Sequence, residues 1–100
     1  MKISILQIPH ADNHVKYLFM DSDFALENGF SILHYKTVYT YEKTENIWLD
    51  DQDTLNEVFT IFNVQQPEDY RGRSVSVSDI IMIDNRMYYV DDIGFKKVID

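Results

Sequence analysis

The sequence contains no cysteine, which removes in one step a disulfide framework, a thiolate zinc site and a cysteine nucleophile. Glycine is almost as scarce. Gly29, Gly72 and Gly94 lie far apart, so they cannot form a phosphate-cradling loop or a dinucleotide fingerprint, and each reads as a turn or cap residue. Long apolar runs are missing as well. The first ten residues carry one lysine and break at Pro9, too short and polar for a secretory signal, and nothing approaches the ~20 apolar residues of a membrane span. No membrane association and a cytoplasmic location are therefore expected. Bases are the minority charge: 9 Lys and Arg against 17 Asp and Glu give a formal charge of −8. Most of such a surface repels phosphates, so direct DNA binding is not expected and a basic protein surface is the natural partner. Acidity of this kind also serves solubility alone.

What is present suffices for a folded chain. Of 100 residues, 45% are apolar and 14% aromatic, enough to offset chain entropy in one compact domain spanning residues 1–100, with a single core as the expected ceiling. In Lys2–Ile8, Ile3 and Ile5 fall on one face and Leu6 and Ile8 on the other, a strand ended by Pro9. The stretch KYLFM (16–20) has the composition of an optional second strand. DSDFALENG then reads as a short helix capped by Asp21 or Ser22 and stopped at Gly29. YKTVYTY (35–41) is the clearest middle strand, with Tyr35, Thr37, Tyr39 and Tyr41 on one face.

The best helix is TLNEVFTIFNV (54–64): Thr54 and Glu57 match a capping box, and Leu55, Val58, Phe59 and Phe62 recur at helical spacing. Pro67 ends that region, and a turn-rich loop follows around Gly72. SVSVSDIIMI has strand composition, Asp84-Asn85 reads as the turn of a hairpin over residues 80–90, and FKKVI forms a last strand. This order lacks regular βαβ repeats. It predicts an α+β fold: a mainly antiparallel sheet of five to six strands with two helices.

Catalytic and metal chemistry find little purchase. His10 and His14 are four apart, but Pro9 and Asn13 argue against the helix that would aim both at one metal. His34 stands alone before the tyrosine strand, and an enzyme, for instance one degrading RNA, would need the fold to bring the three histidines and carboxylates together. Ser74, Ser76 and Ser78 alternate as in a half-exposed strand, with no nucleophile elbow around them. Asp50–Glu57 only loosely resembles a calcium loop and lacks its central glycine. No catalytic residue, metal ligand or cofactor is assigned.

The carboxylates nonetheless cluster, as Asp21 with Asp23, Asp50 and Asp51 with Asp53, Glu68 with Asp69, and Asp91 with Asp92. Together they could offer an anionic surface to a lysine- and arginine-lined groove. A more specific signal lies in TLNEVFTIFN, PEDYRGRSVSVSDIIMI and YYVDDIGFKKV, which in this order resemble the YodL-like domain, with weaker similarity upstream to YLFMDSDFALENG; residues 16–98 are covered. The resemblance implies a protein of Gram-positive mobile genetic elements or phages, in an anti-defence setting, and supplies no enzymatic residues. The expectation that follows is a type II anti-CRISPR protein binding the RNA-guided nuclease or its guide-RNA complex. The alternative is a non-inhibitory interaction or regulatory module of such an element. The partner-binding residues expected from the sequence are Asp50, Asp51, Asp53, Glu68, Asp69, Asp91 and Asp92, as acceptors for partner lysine and arginine. Arg71 and Arg73 are expected to pair with Glu68 and Asp69. Exposed tyrosine strands could also pair as edges in a homodimer.

Overall fold

A computed structural model of the chain describes residues 1–9, 11 and 14–98. Five strands, β1 (Lys2–Gln7), β2 (Lys36–Glu42), β3 (Ile80–Ile83), β4 (Arg86–Val90) and β5 (Phe95–Val98), form one sheet in the order β2-β1-β3-β4-β5. Every neighbouring pair is antiparallel. Two helices, α1 (Ser22–Glu27) and α2 (Asp51–Val64), and a 3-10 turn at Ile32–His34 complete the described elements. The protein is therefore α+β, with the antiparallel sheet and two helices that the sequence leads one to expect. No described helix is long and apolar enough to cross a membrane.

Strand alternation divides the apolar residues between the two sides of the sheet. Ile3 and Ile5 of β1, Ile81 and Ile83 of β3, and Tyr88 and Val90 of β4 meet Leu55, Val58 and Phe62 of α2 in one buried cluster. Their neighbours Leu6, Ile8, Ile80 and Tyr89 face the other way and are covered by Val15, Tyr17, Ala25 and Tyr35. A single core is thus corrected to two, because β1, β3 and β4 are apolar on both faces and each face needs its own cover.

The tyrosine strand departs from simple alternation. Ile5 pairs with Tyr39 but Leu6 pairs with Thr37, so Val38 is an extra residue in β2. A bulge of this kind shifts the parity of everything beyond it. Tyr39 and Tyr41 accordingly pack on the α2 side, whereas Tyr35 is buried in the opposite cluster. The four residues expected on one face are split between two.

Three further expectations change. KYLFM is not a strand: the chain turns there through Leu18 N–H to Val15 O (3.2 Å) and Met20 N–H to Tyr17 O (2.9 Å). Phe19 sits at φ 65, and Tyr17 is fully buried. SVSVS is not in the sheet either, because the Asp79 carboxylate takes the Ser76 amide at 2.9 Å and Ser78 turns the chain at φ 84. Side chains that capture nearby amides in this way compete with strand pairing. Finally, α2 begins three residues before Thr54. Asp50 is its cap, accepting from Asp53 N–H at 2.9 Å, while the Asp53 carboxylate accepts from Asp50 N–H at 3.4 Å. Thr54 is buried and Glu57 binds Lys43 at 2.5 Å instead.

Candidate partner-binding surface

The acids singled out from the sequence are largely engaged within the chain. Asp50 and Asp53 form the cap just described, so Asp50–Glu57 is a helix start and not a calcium loop. Asp51 receives a two-pronged pair from Arg86, Nε at 2.7 Å and Nη2 at 2.9 Å, and a short hydrogen bond from the Tyr88 hydroxyl. The Arg86 bonds hold its carboxyl below the usual carboxylate range, against partial burial. Asp69 accepts from the Tyr39 hydroxyl at 2.7 Å. Asp91 accepts from the Ser22 amide at 3.1 Å and closely from its hydroxyl; burial pushes Asp91 up, but the Ser22 bonds outweigh it and the net shift is downward. Asp92 accepts from Ile93 N–H at 2.9 Å.

The fold thereby joins two of the four clusters. Asp91 of the β4–β5 turn meets the start of α1, where Asp21 caps the helix through Phe24 N–H at 2.9 Å. Asp23 lies beside Lys96 at 3.6 Å. Arg71 and Arg73 do not pair with Glu68 and Asp69 through their carboxylates: Arg71 Nη1 donates to the backbone carbonyls of Glu68 (2.6 Å) and Tyr70 (3.2 Å). Arg73 Nη2 donates to Ile8 O at 2.9 Å. Their partners are backbone because the loop curls back on itself and on the end of β1.

One feature that sequence reasoning passed over is the connection between β2 and α2. Trp48 is 85% exposed and Ile47 87% exposed, an unusual position for the only tryptophan in the chain. The backbone there is a hydrogen-bonded turn: Asn46 Oδ1 accepts from Trp48 N–H at 3.0 Å and Asn46 O accepts from Leu49 N–H at 3.0 Å. Glu45 and Asp50 flank the pair in sequence. A hollow of about 450 Å³ lies alongside, lined by residues 43–49 and Glu57. The signal was a lone tryptophan in a polar segment with no strand or helix of its own to pack against.

His14 and His34 line one hollow with Glu27. His34 Nδ1 is bonded to the Tyr17 hydroxyl at 2.7 Å, and His10 lies outside the described residues. Among the described residues no group of three or more His, Asp or Glu could hold a metal ion.

The DYRGRSVSVSD stretch forms a loop braced by Gln7. Its amide pairs with the backbone of Arg73 in both directions, Arg73 N–H to Oε1 at 3.0 Å and Nε2 to Arg73 O at 2.9 Å, as a neighbouring strand would. Nε2 also donates to Asp79 Oδ2 at 3.0 Å, and the Tyr70 hydroxyl donates to Arg73 O at 2.5 Å. Gly72 is required here: a Cβ would lie 2.4 Å from the Tyr70 hydroxyl and 2.9 Å from Gln7 Oε1. A family model for the YodL-like domain matches residues 2–100. The chain belongs to the YodL-like domain family. No curated protein and no solved structure matches it. The match extends beyond residues 16–98 to take in β1, the strand that supplies Gln7.

At the centre of this YodL-like domain lies a titratable group the sequence did not reveal. Asp79 is fully buried; burial raises its carboxyl from the ordinary 3.8 to about 6, tempered by the Ser76 amide, Gln7 and Arg73. The native state therefore holds this proton more tightly than the unfolded chain. Its contribution to stability is greatest below pH 4 and is lost as pH rises through about 6. Asp51 and Asp91, shifted down, act in the opposite sense. Asp79→Asn isolates the first effect: relative to wild type, its unfolding free energy should gain about 3 kcal/mol between pH 4 and pH 7. Urea titrations at several pH values read this directly, and a pH-independent difference would contradict the assignment.

Proposed function

We propose that this YodL-like protein is a non-catalytic anti-defence protein of a mobile genetic element. It acts in the host cytoplasm by docking on a basic surface of a type II RNA-guided DNA nuclease or its guide-RNA complex and blocking it, as an anti-CRISPR protein. The observation that carries the binding role is the exposed Ile47–Trp48 pair held on a hydrogen-bonded turn beside Glu45 and Asp50. A large aromatic anchor with a charged rim is the composition of an interface centre, and such anchors dominate binding energy. The rim acids Asp50 and Asp53, with Glu68, Asp69, Asp91 and Asp92 farther along the chain, would meet lysine and arginine of the partner and speed encounter more than they tighten it.

One observation favours the alternative of a non-inhibitory interaction module. Asp51, Asp69 and Asp91 are already bonded within the fold, which weakens a groove-filling role based on charge alone and leaves the apolar anchor in the lead. The test is a cleavage and binding assay with a guide-loaded type II nuclease. Inhibition by the wild type, lost about 30-fold or more in Trp48→Ala with unchanged unfolding, is the expected result. Normal cleavage at large excess removes the inhibitor reading and leaves the docking module, which the same variant tests by pull-down of replication or transfer proteins from the host.

A further inference from the structure

Lys36 opens β2, and Arg71, Gly72 and Arg73 form the tip of the loop that follows α2; together with Ile8 and Val38 they line one notch of about 280 Å³. Three of the nine bases of an acidic chain therefore converge on a single concavity. Neither Lys36 nor Arg71 has a carboxylate within ion-pair distance among the described residues. Both guanidinium groups are held by backbone carbonyls, which fixes their position and leaves the charge of Arg71 uncancelled. Arg73 Nη2 is also 3.9 Å from the fully buried Asp79 carboxylate, which offsets part of its charge. The amide of Gly72, a residue lining the notch, finds no acceptor among the described residues.

We propose that this notch is a binding site for a phosphate monoester. Arginine forks and a neighbouring lysine suit a compact dianion, and a free backbone N–H completes an oxyanion cradle. The apolar surface of Pro9 and Val38 fits a small hydrocarbon body on the ester. Size and surroundings set the class of ligand. The volume lies at the lower end of small-molecule sites, and a long phosphate chain would run out over a surface of net charge −8.

The test is a titration followed by amide NMR shifts, with inorganic phosphate, phenyl phosphate, benzoate and a short single-stranded RNA as probes. Phenyl phosphate should shift the Gly72 and Arg71 amides saturably and bind more tightly than either inorganic phosphate or benzoate. Lys36→Ala combined with Arg71→Ala should weaken it about tenfold. Both side chains are exposed and Arg73 is untouched, so unfolding should not change. Absence of a saturable shift at Gly72 overturns the proposal. Equal binding of benzoate overturns the phosphate class, and tighter binding of RNA overturns the small ligand.

Discussion

Replacing Gln7 with leucine should lower the unfolding free energy by about 3–5 kcal/mol. The side chain is almost fully buried and makes three bonds of 2.9–3.0 Å. Leucine keeps the volume and removes all of them. The Arg73 amide then has no acceptor, and the buried Asp79 carboxylate loses one of its donors. Each such loss costs about 1–3 kcal/mol because the stranded group was desolvated on folding. Ser74→Ala, at an exposed position in the same loop, should stay within about 0.5 kcal/mol. Urea unfolding of both variants decides the matter; a loss below about 1 kcal/mol for Gln7→Leu would mean that water replaces the glutamine in the native loop.

Phe62→Ala should cost a similar amount, about 3–5 kcal/mol, for a different reason. Phe62 is fully buried, with ring centroids 4.9 Å from Tyr70, 5.6 Å from Tyr39 and 5.8 Å from Tyr41. Truncation opens a void among three rings that cannot all close in, and it removes aromatic contacts worth more than their area. Phe59, 6.0 Å from Phe95 between ring centroids, is half-buried and should lose about 1–2 kcal/mol on the same change. A domain of this size is stable by about 5–15 kcal/mol in total. Phe62→Ala should therefore melt far earlier than Phe59→Ala in a thermal scan, and equal melting would show that the cluster repacks.

The elements legible in the sequence were those specified by a single strong local pattern. Leu55, Val58 and Phe62 could only share a helix face, and Asp84-Asn85 between two apolar runs could only turn. Where two local patterns competed, composition did not decide. Asp50 with Asp53 and Thr54 with Glu57 both match a capping box; the first prevails because it adds a turn to α2 and leaves Thr54 free to be buried. SVSVS alternates as a strand should, yet its amide at Ser76 goes to the side chain of Asp79, an outcome set by Gln7 more than 60 residues away. The acids of the candidate surface were visible for the same reason that their engagement was not. Composition shows carboxylates, whereas Arg86 is 35 residues from Asp51 and Ser22 is 69 from Asp91.

The extra residue at Val38 sets a reading frame for β2. Tyr39 and Tyr41 are read by α2 and Tyr35 by the layer on the other side, so one strand writes into two cores with opposite phase. Loss of Val38 alone would bring β2 back into step with β1, leaving Thr37 opposite Leu6 and Tyr39 opposite Ile5 with each tyrosine still on its own face. A deletion at Val38 is absorbed where it occurs; one at Thr40, where pairing with β1 is regular, would turn Tyr39 or Tyr41 away from α2.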